Sequence, residues 1–185
     1  MSRVPLAPPI GATLGDRRSA LGLRWLGLGV SSLAIQIALV QGLATAPAGA
    51  AWLPFLLPAS HLLLIPFLIR NLSFRGIQVI LIGLFLNLAV MLANGGLMPI
   101  EPSAVRAVGG VELSELHPGD HVPGTKNRLL PASDSRVSFL SDRFVTPGPF
   151  GAVVSIGDLF IAAGLLITYA EVVYRHAARG RTPHG

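Results

Sequence analysis

Four long runs of apolar residues dominate the pattern of this chain. They cover Gly22–Leu43, Trp52–Ile69, Phe74–Ala93 and Ile156–Tyr174, with lengths of 22, 18, 20 and 19 residues. A helix needs about 20 predominantly apolar residues to cross a bilayer, because each residue rises about 1.5 Å. The pattern therefore predicts an all-α membrane protein with four transmembrane helices.

The polar segments between these runs set the predicted organisation. Asn94-Gly95-Gly96, followed by Pro99, is typical of a helix end and should stop the third span. In the long loop that follows, Val137, Leu140 and Phe144 are spaced i, i+3 and i+7, which predicts a short interfacial helix near 136–144. The chain then divides into a tail (1–21), three membrane helices (22–93), a loop (94–151), a fourth membrane helix (152–174) and a second tail (175–185).

The composition agrees with a membrane protein and excludes some chemistry. Apolar residues make up 51% of the chain, charged residues 12%, and the mean hydropathy is +0.63. Soluble domains carry about 25% charged residues. The chain has no cysteine, which excludes disulfides, thiolate catalysis and cysteine-ligated metal clusters.

The distribution of positive charge predicts the orientation. Nine arginines flank the spans on one side, whereas the long loop carries five basic residues in 58 positions. Because positive charge favours the cytoplasmic side, both termini should be cytoplasmic and the loop should lie outside the cell membrane. The nine are Arg3, Arg17, Arg18, Arg24, Arg70, Arg75, Arg175, Arg179 and Arg181.

Two alternatives compete with this interpretation. Arg17-Arg18, an apolar run and Ala44-Thr45-Ala46 are the elements of a cleavable signal peptide, although a run of 22 residues is longer than the usual signal core of about 7–15. The high pI of about 11.0 would also suit a nucleic-acid binder. No nucleic-acid motif accompanies the charge, so we predict no nucleic-acid partner.

Three polar side chains within the predicted spans are candidates for a structural or functional role: Gln36, His61 and Asn87. The plain interpretation is hydrogen bonding between neighbouring helices. A haem ligand at His61 would need a second histidine on a facing span, and none is present. The alternative is a shared polar pocket, as in a small-solute carrier or a membrane-embedded enzyme. The first span also has small residues at Gly27, Ser31, Ala34, Ala38 and Gly42, a spacing that predicts a close helix contact.

The polar and charged residues of the last span also have structural interpretations, and one of them has a functional alternative. Ser155 and Asp158 have the spacing of a capping box at a helix start. An ion or proton role for Asp158 is the sharper alternative, since carboxylates inside membranes are commonly functional. Glu171 and Arg175 are spaced for an i, i+4 ion pair.

The loop offers one possible metal motif. His117-Pro118-Gly119-Asp120-His121 brings two imidazoles and a carboxylate together, and zinc accepts such ligands. A convincing fourth ligand is missing, and loop histidines are more often solvated. We therefore predict no metal at this motif. No catalytic signature stands out elsewhere in the sequence, so we also predict no cofactor and no catalytic residues.

Three segments resemble the bacterial domain-of-unknown-function family 5317. They are Asn94–Ile100, which closes the third span, Ser135–Phe144 in the loop, and Val154–Asp158, which opens the last span. The resemblance implies the same architecture of four spans with one long loop, and it assigns no activity.

These observations favour a membrane protein that works as an accessory, scaffold or interaction subunit. Its expected partners are the lipid bilayer and other membrane subunits or further copies of itself. The positions expected to be structural or functional are Gln36, His61, Asn87, Asn94, Gly95, Gly96, Ser155 and Asp158.

The orientation can be tested with single cysteines, because the chain has no native thiol. We expect an impermeant maleimide on intact cells to label Ser114→Cys in the loop and to leave Ser2→Cys unlabelled until the cells are opened. The opposite labelling pattern would reverse the predicted topology.

Overall fold

The computed structural model of the protein describes residues 22–42, 51–108, 116–146 and 152–179. Within these residues it has five α-helices and two small β-sheets. The helices are α1 (Leu26–Gln41), α2 (Leu53–Arg70), α3 (Arg75–Ala93), α4 (Pro102–Val108) and α5 (Ile156–Arg179). The strands are β1 (Met98–Ile100), β2 (Asn127–Leu129), β3 (Phe144–Val145) and β4 (Val153–Val154).

Three of these helices, α2, α3 and α5, are long and apolar enough to cross a membrane. This indicates a membrane protein, as the sequence predicts. The fourth candidate, α1, has 16 residues and begins four residues later than the predicted span. The reason is Trp25, whose left-handed backbone (φ 54°) breaks the helix before Leu26. The predicted tail of residues 1–21, residues 43–50 with the possible cleavage site, and residues 180–185 lie outside the described ranges.

The closest helix contact is between α3 and α5, and glycines make it possible. A Cβ atom on Gly83 would lie 2.5 Å from the Gly157 carbonyl oxygen, and one on Gly164 would lie 2.7 Å from that of Gly76. Small residues thus let the two backbones touch. On α1, by contrast, the predicted small-residue face is exposed. A Cβ atom on Gly27 would meet no atom within 4 Å, whereas Gly29, which is not part of that face, packs on Phe67.

The residues between α3 and α5 form a small folded unit, which we call the cap (Met98–Val108, Leu116–Thr146 and Ala152–Val154). Strands β1 and β2 pair in parallel, and β3 and β4 pair in antiparallel fashion. A hydrophobic cluster of Ile100, Ala104, Val105, Val122 and Leu129 forms the centre of the cap.

The segment near 136–144 differs from the predicted interfacial helix. It has a 3-10 turn over Ser138–Leu140, followed by strand β3. Val137 has a positive φ of 57°, which a regular helix would not tolerate. Arg143 and Phe144 pair with the chain around Val154, so the strand pairing takes the residues that would have continued the helix.

The bundle has two further apolar clusters, one at each end. Leu53, Leu57, Val90, Met91, Leu97 and Met98 form the cluster at the cap end. The other is at the end where α2 turns into α3, which we call the basic end, and comprises Leu23, Phe67, Leu68, Phe74, Ile77, Ile80 and Leu84.

The glycine contact gives a direct test of the α3–α5 packing. We expect Gly83→Ala to destabilise the protein by about 1–3 kcal/mol, because the added methyl group overpacks the contact. Gly27→Ala is the matched control, since its Cβ meets open space and alanine favours helix. Thermal melting in detergent would measure both, and equal melting temperatures for the two variants would contradict the described packing.

Candidate functional site

Six polar residues meet where the cap rests on the bundle, and we call them the junction cluster. Helix α3 contributes Asn87, and Ser155 and Asp158 lie at the start of α5. The cap contributes Lys126, Asn127 and Asp142. The cluster therefore joins two membrane helices to the folded loop.

The start of α5 carries the reciprocal bonds of a capping box. The Asp158 N–H donates to Ser155 Oγ at 3.0 Å, and the Ser155 N–H donates to Asp158 Oδ2 at 3.1 Å. Asn87 extends this pair to α3, since its Nδ2 donates to Asp158 Oδ1 at 2.7 Å and its Oδ1 accepts from Ser155 Oγ at 2.8 Å. Asp158 is thus a capping residue and also a contact between helices.

Lys126 connects this helix end to the cap. Its Nζ lies 3.0 Å from Asp158 Oδ2 and 3.6 Å from Asp142 Oδ2. Burial alone would lower the pKa of the ammonium, but the two carboxylates outweigh that effect and raise the pKa above its ordinary value. Lys126 is therefore held in its charged form between two acids.

Asp142 is the most buried charged group of the cluster, with a side chain that is 1% exposed. Its Oδ2 accepts a hydrogen bond from Asn127 Nδ2 at 2.8 Å, and its Oδ1 has no partner. Burial raises the pKa of this carboxyl to about 6, although Lys126 and Asn127 both act in the opposite direction. Two carboxylates face one ammonium here, so the cluster as a whole favours one additional proton or positive charge.

A second contact fixes the cap at the end of α3. Asn94 Oδ1 accepts from the Arg136 N–H, and Asn94 Nδ2 donates to the Arg136 carbonyl, both at 2.8 Å. Gly95 and Gly96 follow with φ of 76° and 89°, so both supply the left-handed backbone expected at this helix end. Gly96 also lies against the Pro54 carbonyl, where a Cβ would clash.

The two remaining predicted span residues, Gln36 and His61, bond to different partners. Gln36 Nε2 donates to the Ser60 carbonyl on the neighbouring helix at 3.5 Å. His61 Nδ1 bonds the Leu57 carbonyl of its own helix at 2.8 Å, rather than the neighbouring helix that the sequence predicted.

Glu171 and Arg175 make different contacts from the predicted ion pair. The Glu171 carboxylate accepts the N–H groups of Arg75 and Gly76, both at 3.1 Å, and so caps the start of α3. The Arg175 guanidinium donates to the Ser73 carbonyl at 2.9 Å. Both residues therefore join α5 to the turn before α3.

In the loop motif, the two histidines face different partners. His117 Nδ1 lies 3.8 Å from Asp120 Oδ2, whereas His121 Nε2 bonds the Thr125 carbonyl at 2.8 Å. Among the described residues there is no group of three side chains placed to hold a metal ion.

Sequence reasoning found Asn87, Ser155 and Asp158 and missed Lys126, Asn127 and Asp142. The missed residues lie in a loop whose pairing with the bundle no local pattern reveals. One signal was present: Lys126 is the single lysine in a chain with 13 arginines. An ammonium is a compact point charge with three donors, which suits a position between two carboxylates.

The comparison with known sequences identifies the family. The chain belongs to a family of unknown function (DUF5317), which matches residues 20–170 and therefore covers α1 to α4, the cap and the first part of α5. No curated protein and no solved structure matches the chain.

The raised pKa of Asp142 predicts a pH-dependent stability. The pKa of Asp142 in the folded protein, about 6, exceeds the ordinary value of 3.8, so the folded protein binds this proton more readily than the unfolded chain does. The contribution of the bound proton to the free energy of unfolding is full below pH ~4 and is lost as the pH rises through 6. The loss is at most about 3 kcal/mol, for a shift of about two units. Asp142→Asn should remove this dependence, so the variant gains on the wild type between pH 4 and 7.

Melting curves of both proteins in one detergent would measure the effect. Asp134→Asn is the control, because Asp134 is an exposed acid of the cap. Parallel pH profiles for the wild type and Asp142→Asn would contradict the buried carboxyl.

Proposed function

We propose that this member of the family is a multi-pass cell-membrane protein that acts as an accessory or scaffold subunit and presents its cap to other membrane proteins. The observation that carries the proposal is the junction cluster. Its charged and amide groups bond the cap to α3 and α5. Such bonds hold the cap in one orientation on the bundle. A subunit that presents a binding surface to a partner requires a fixed orientation of this kind.

The proposed topology has four spans, with cytoplasmic termini and the cap outside the cell. In support, α1 packs along α2 and exposes apolar side chains such as Val30, Leu33 and Ile37. Exposed apolar residues on a bundle helix are suited to lipid or to another membrane helix. The arginines at the basic end agree with a cytoplasmic location.

The bonding of the span residues also supports an accessory role over a carrier. Gln36 bonds to α2, His61 bonds within α2, and Asn87 bonds to α5. Each of these side chains thus has a separate hydrogen-bond partner, whereas a solute pocket would need side chains that point at one shared space. On the cap, Phe139 and Val137 are exposed apolar residues available to a partner.

The second candidate is a carrier that depends on protons. One observation favours it: the Oδ1 atom of Asp142, buried in the junction cluster, has no hydrogen-bond partner. A cluster that gains a proton at one pH and releases it at another could couple that proton to a solute.

A crosslinking experiment tests the accessory role. We expect a photo-reactive amino acid at Phe139, in cells, to give one discrete protein adduct. Lys126→Met should reduce that adduct severalfold, because the cap loses the ammonium that holds it on α5. Arg106→Gln, a charge loss on the exposed side of α4, should leave it unchanged.

The same variants separate the two candidates. Proton flux into proteoliposomes that disappears in Asp158→Asn, with unchanged melting temperature and no protein adduct, would favour the carrier. An adduct that Lys126→Met and Arg106→Gln affect equally would argue against a role for the junction cluster in presenting the cap.

A further inference from the structure

At the basic end, opposite the cap, the helices surround a cavity of about 290 Å³. The residues before α1, the turn between α2 and α3, and the end of α5 all contribute to it. Its lining side chains that can carry positive charge are Arg24, Arg70, Arg175 and His176.

Asn71 builds one wall of this cavity. The residue is 2% exposed, and its Oδ1 accepts from the Arg24 N–H at 2.7 Å. Its Nδ2 donates to the carbonyls of Arg24 and Phe67, each at 2.8 Å. These bonds fix the backbone of Arg24 on the turn between α2 and α3, 47 residues further along the chain.

Aromatic rings orient two of the guanidinium groups. Arg175 lies with its Cζ 3.9 Å from the centre of the Phe74 ring, and Arg70 lies 5.5 Å from that of Trp25. The Arg175 group also donates to the Ser73 carbonyl. A stacked guanidinium has fewer orientations to lose on binding, and its edge can still donate to a ligand.

Two of these cationic side chains, Arg70 and Arg175, contact aromatic rings and a backbone carbonyl and no described carboxylate. Among its described lining residues there is no carboxylate. Glu171, one turn before Arg175, accepts the N–H groups of Arg75 and Gly76. Arg70 and Arg175 therefore line one small space whose described lining supplies no carboxylate to pair with them.

We infer that this cavity binds a phosphate group of an anionic ligand. Guanidinium groups match phosphate oxygens in pairs of hydrogen bonds, which favours phosphate over a simple halide. The phosphate can belong to an anionic lipid, since the cavity lies at the ends of apolar helices where headgroups are found. A soluble phosphate ester is the other source. The inference goes beyond the accessory role and does not depend on it.

The test uses the full-length protein in neutral detergent with two probes. Phosphatidylglycerol represents the lipid, glycerol 3-phosphate represents the soluble ester, and native mass spectrometry measures binding of each. We expect Arg70→Gln to weaken phosphatidylglycerol binding about tenfold or more, as the loss of a charge-assisted contact does. Arg106→Gln, which removes a charge from the cap, should change it less than twofold.

Each outcome decides the inference. Binding of the lipid with the expected loss in Arg70→Gln supports the site and a lipid source, and binding of glycerol 3-phosphate alone supports the site with a soluble source. Binding of neither probe would overturn the inference. An equal loss in Arg106→Gln would also overturn it, because diffuse attraction would then explain the affinity.

A single thiol provides a readout that does not need an arginine variant to fold. Ser73→Cys places the only cysteine of the chain at the cavity, and Ser103→Cys places one on the cap. The bound probe should slow maleimide labelling of Ser73→Cys at least fivefold and leave Ser103→Cys unchanged. Unchanged labelling at Ser73→Cys in the presence of a bound probe would place the probe elsewhere and overturn the inference.

Discussion

The ammonium of Lys126 between two carboxylates is the interaction on which the arrangement of cap and bundle depends. Charges that leave water must be paired and hydrogen-bonded, or their burial is strongly unfavourable. Asp142 comes from the cap and Asp158 from α5, so the pairing is complete only when both parts are in place. The Lys126–Asp158 contact is therefore the charged bond that holds the cap on the bundle.

The two ends of the bundle differ in their chemistry. At the cap end, acids, amides and one lysine satisfy one another almost completely. At the basic end, Asn71 and Glu171 satisfy backbone groups, whereas Arg70 and Arg175 line a cavity. The polar groups of the cap end thus bond to one another, whereas these two arginines are the groups that we infer to bind a phosphate.

The sequence predicted those features that depend on local pattern or composition. Helices α2 and α3 follow from run length, and the Ser155–Asp158 capping box and the Asn94–Gly96 turn follow from short motifs. The junction cluster could not be predicted, because Asn87 and Asp158 are 71 residues apart and Lys126 lies in a loop without periodicity. Two local predictions failed for the same reason. The predicted helix near 136–144 is replaced by strand pairing. The Glu171 carboxylate accepts from backbone N–H groups of α3, and so does not form the predicted pair with Arg175.

The glycine contact between α3 and α5 has a consequence for biogenesis. Because these helices are far apart in sequence, the ribosome completes α3 and must then deliver the whole cap before α5 exists. During that interval the glycine surface of α3 lacks its packing partner, and Asn87 lacks Ser155 and Asp158. The time spent in this state is set by the length of the cap, since translation proceeds at about 5–20 residues per second.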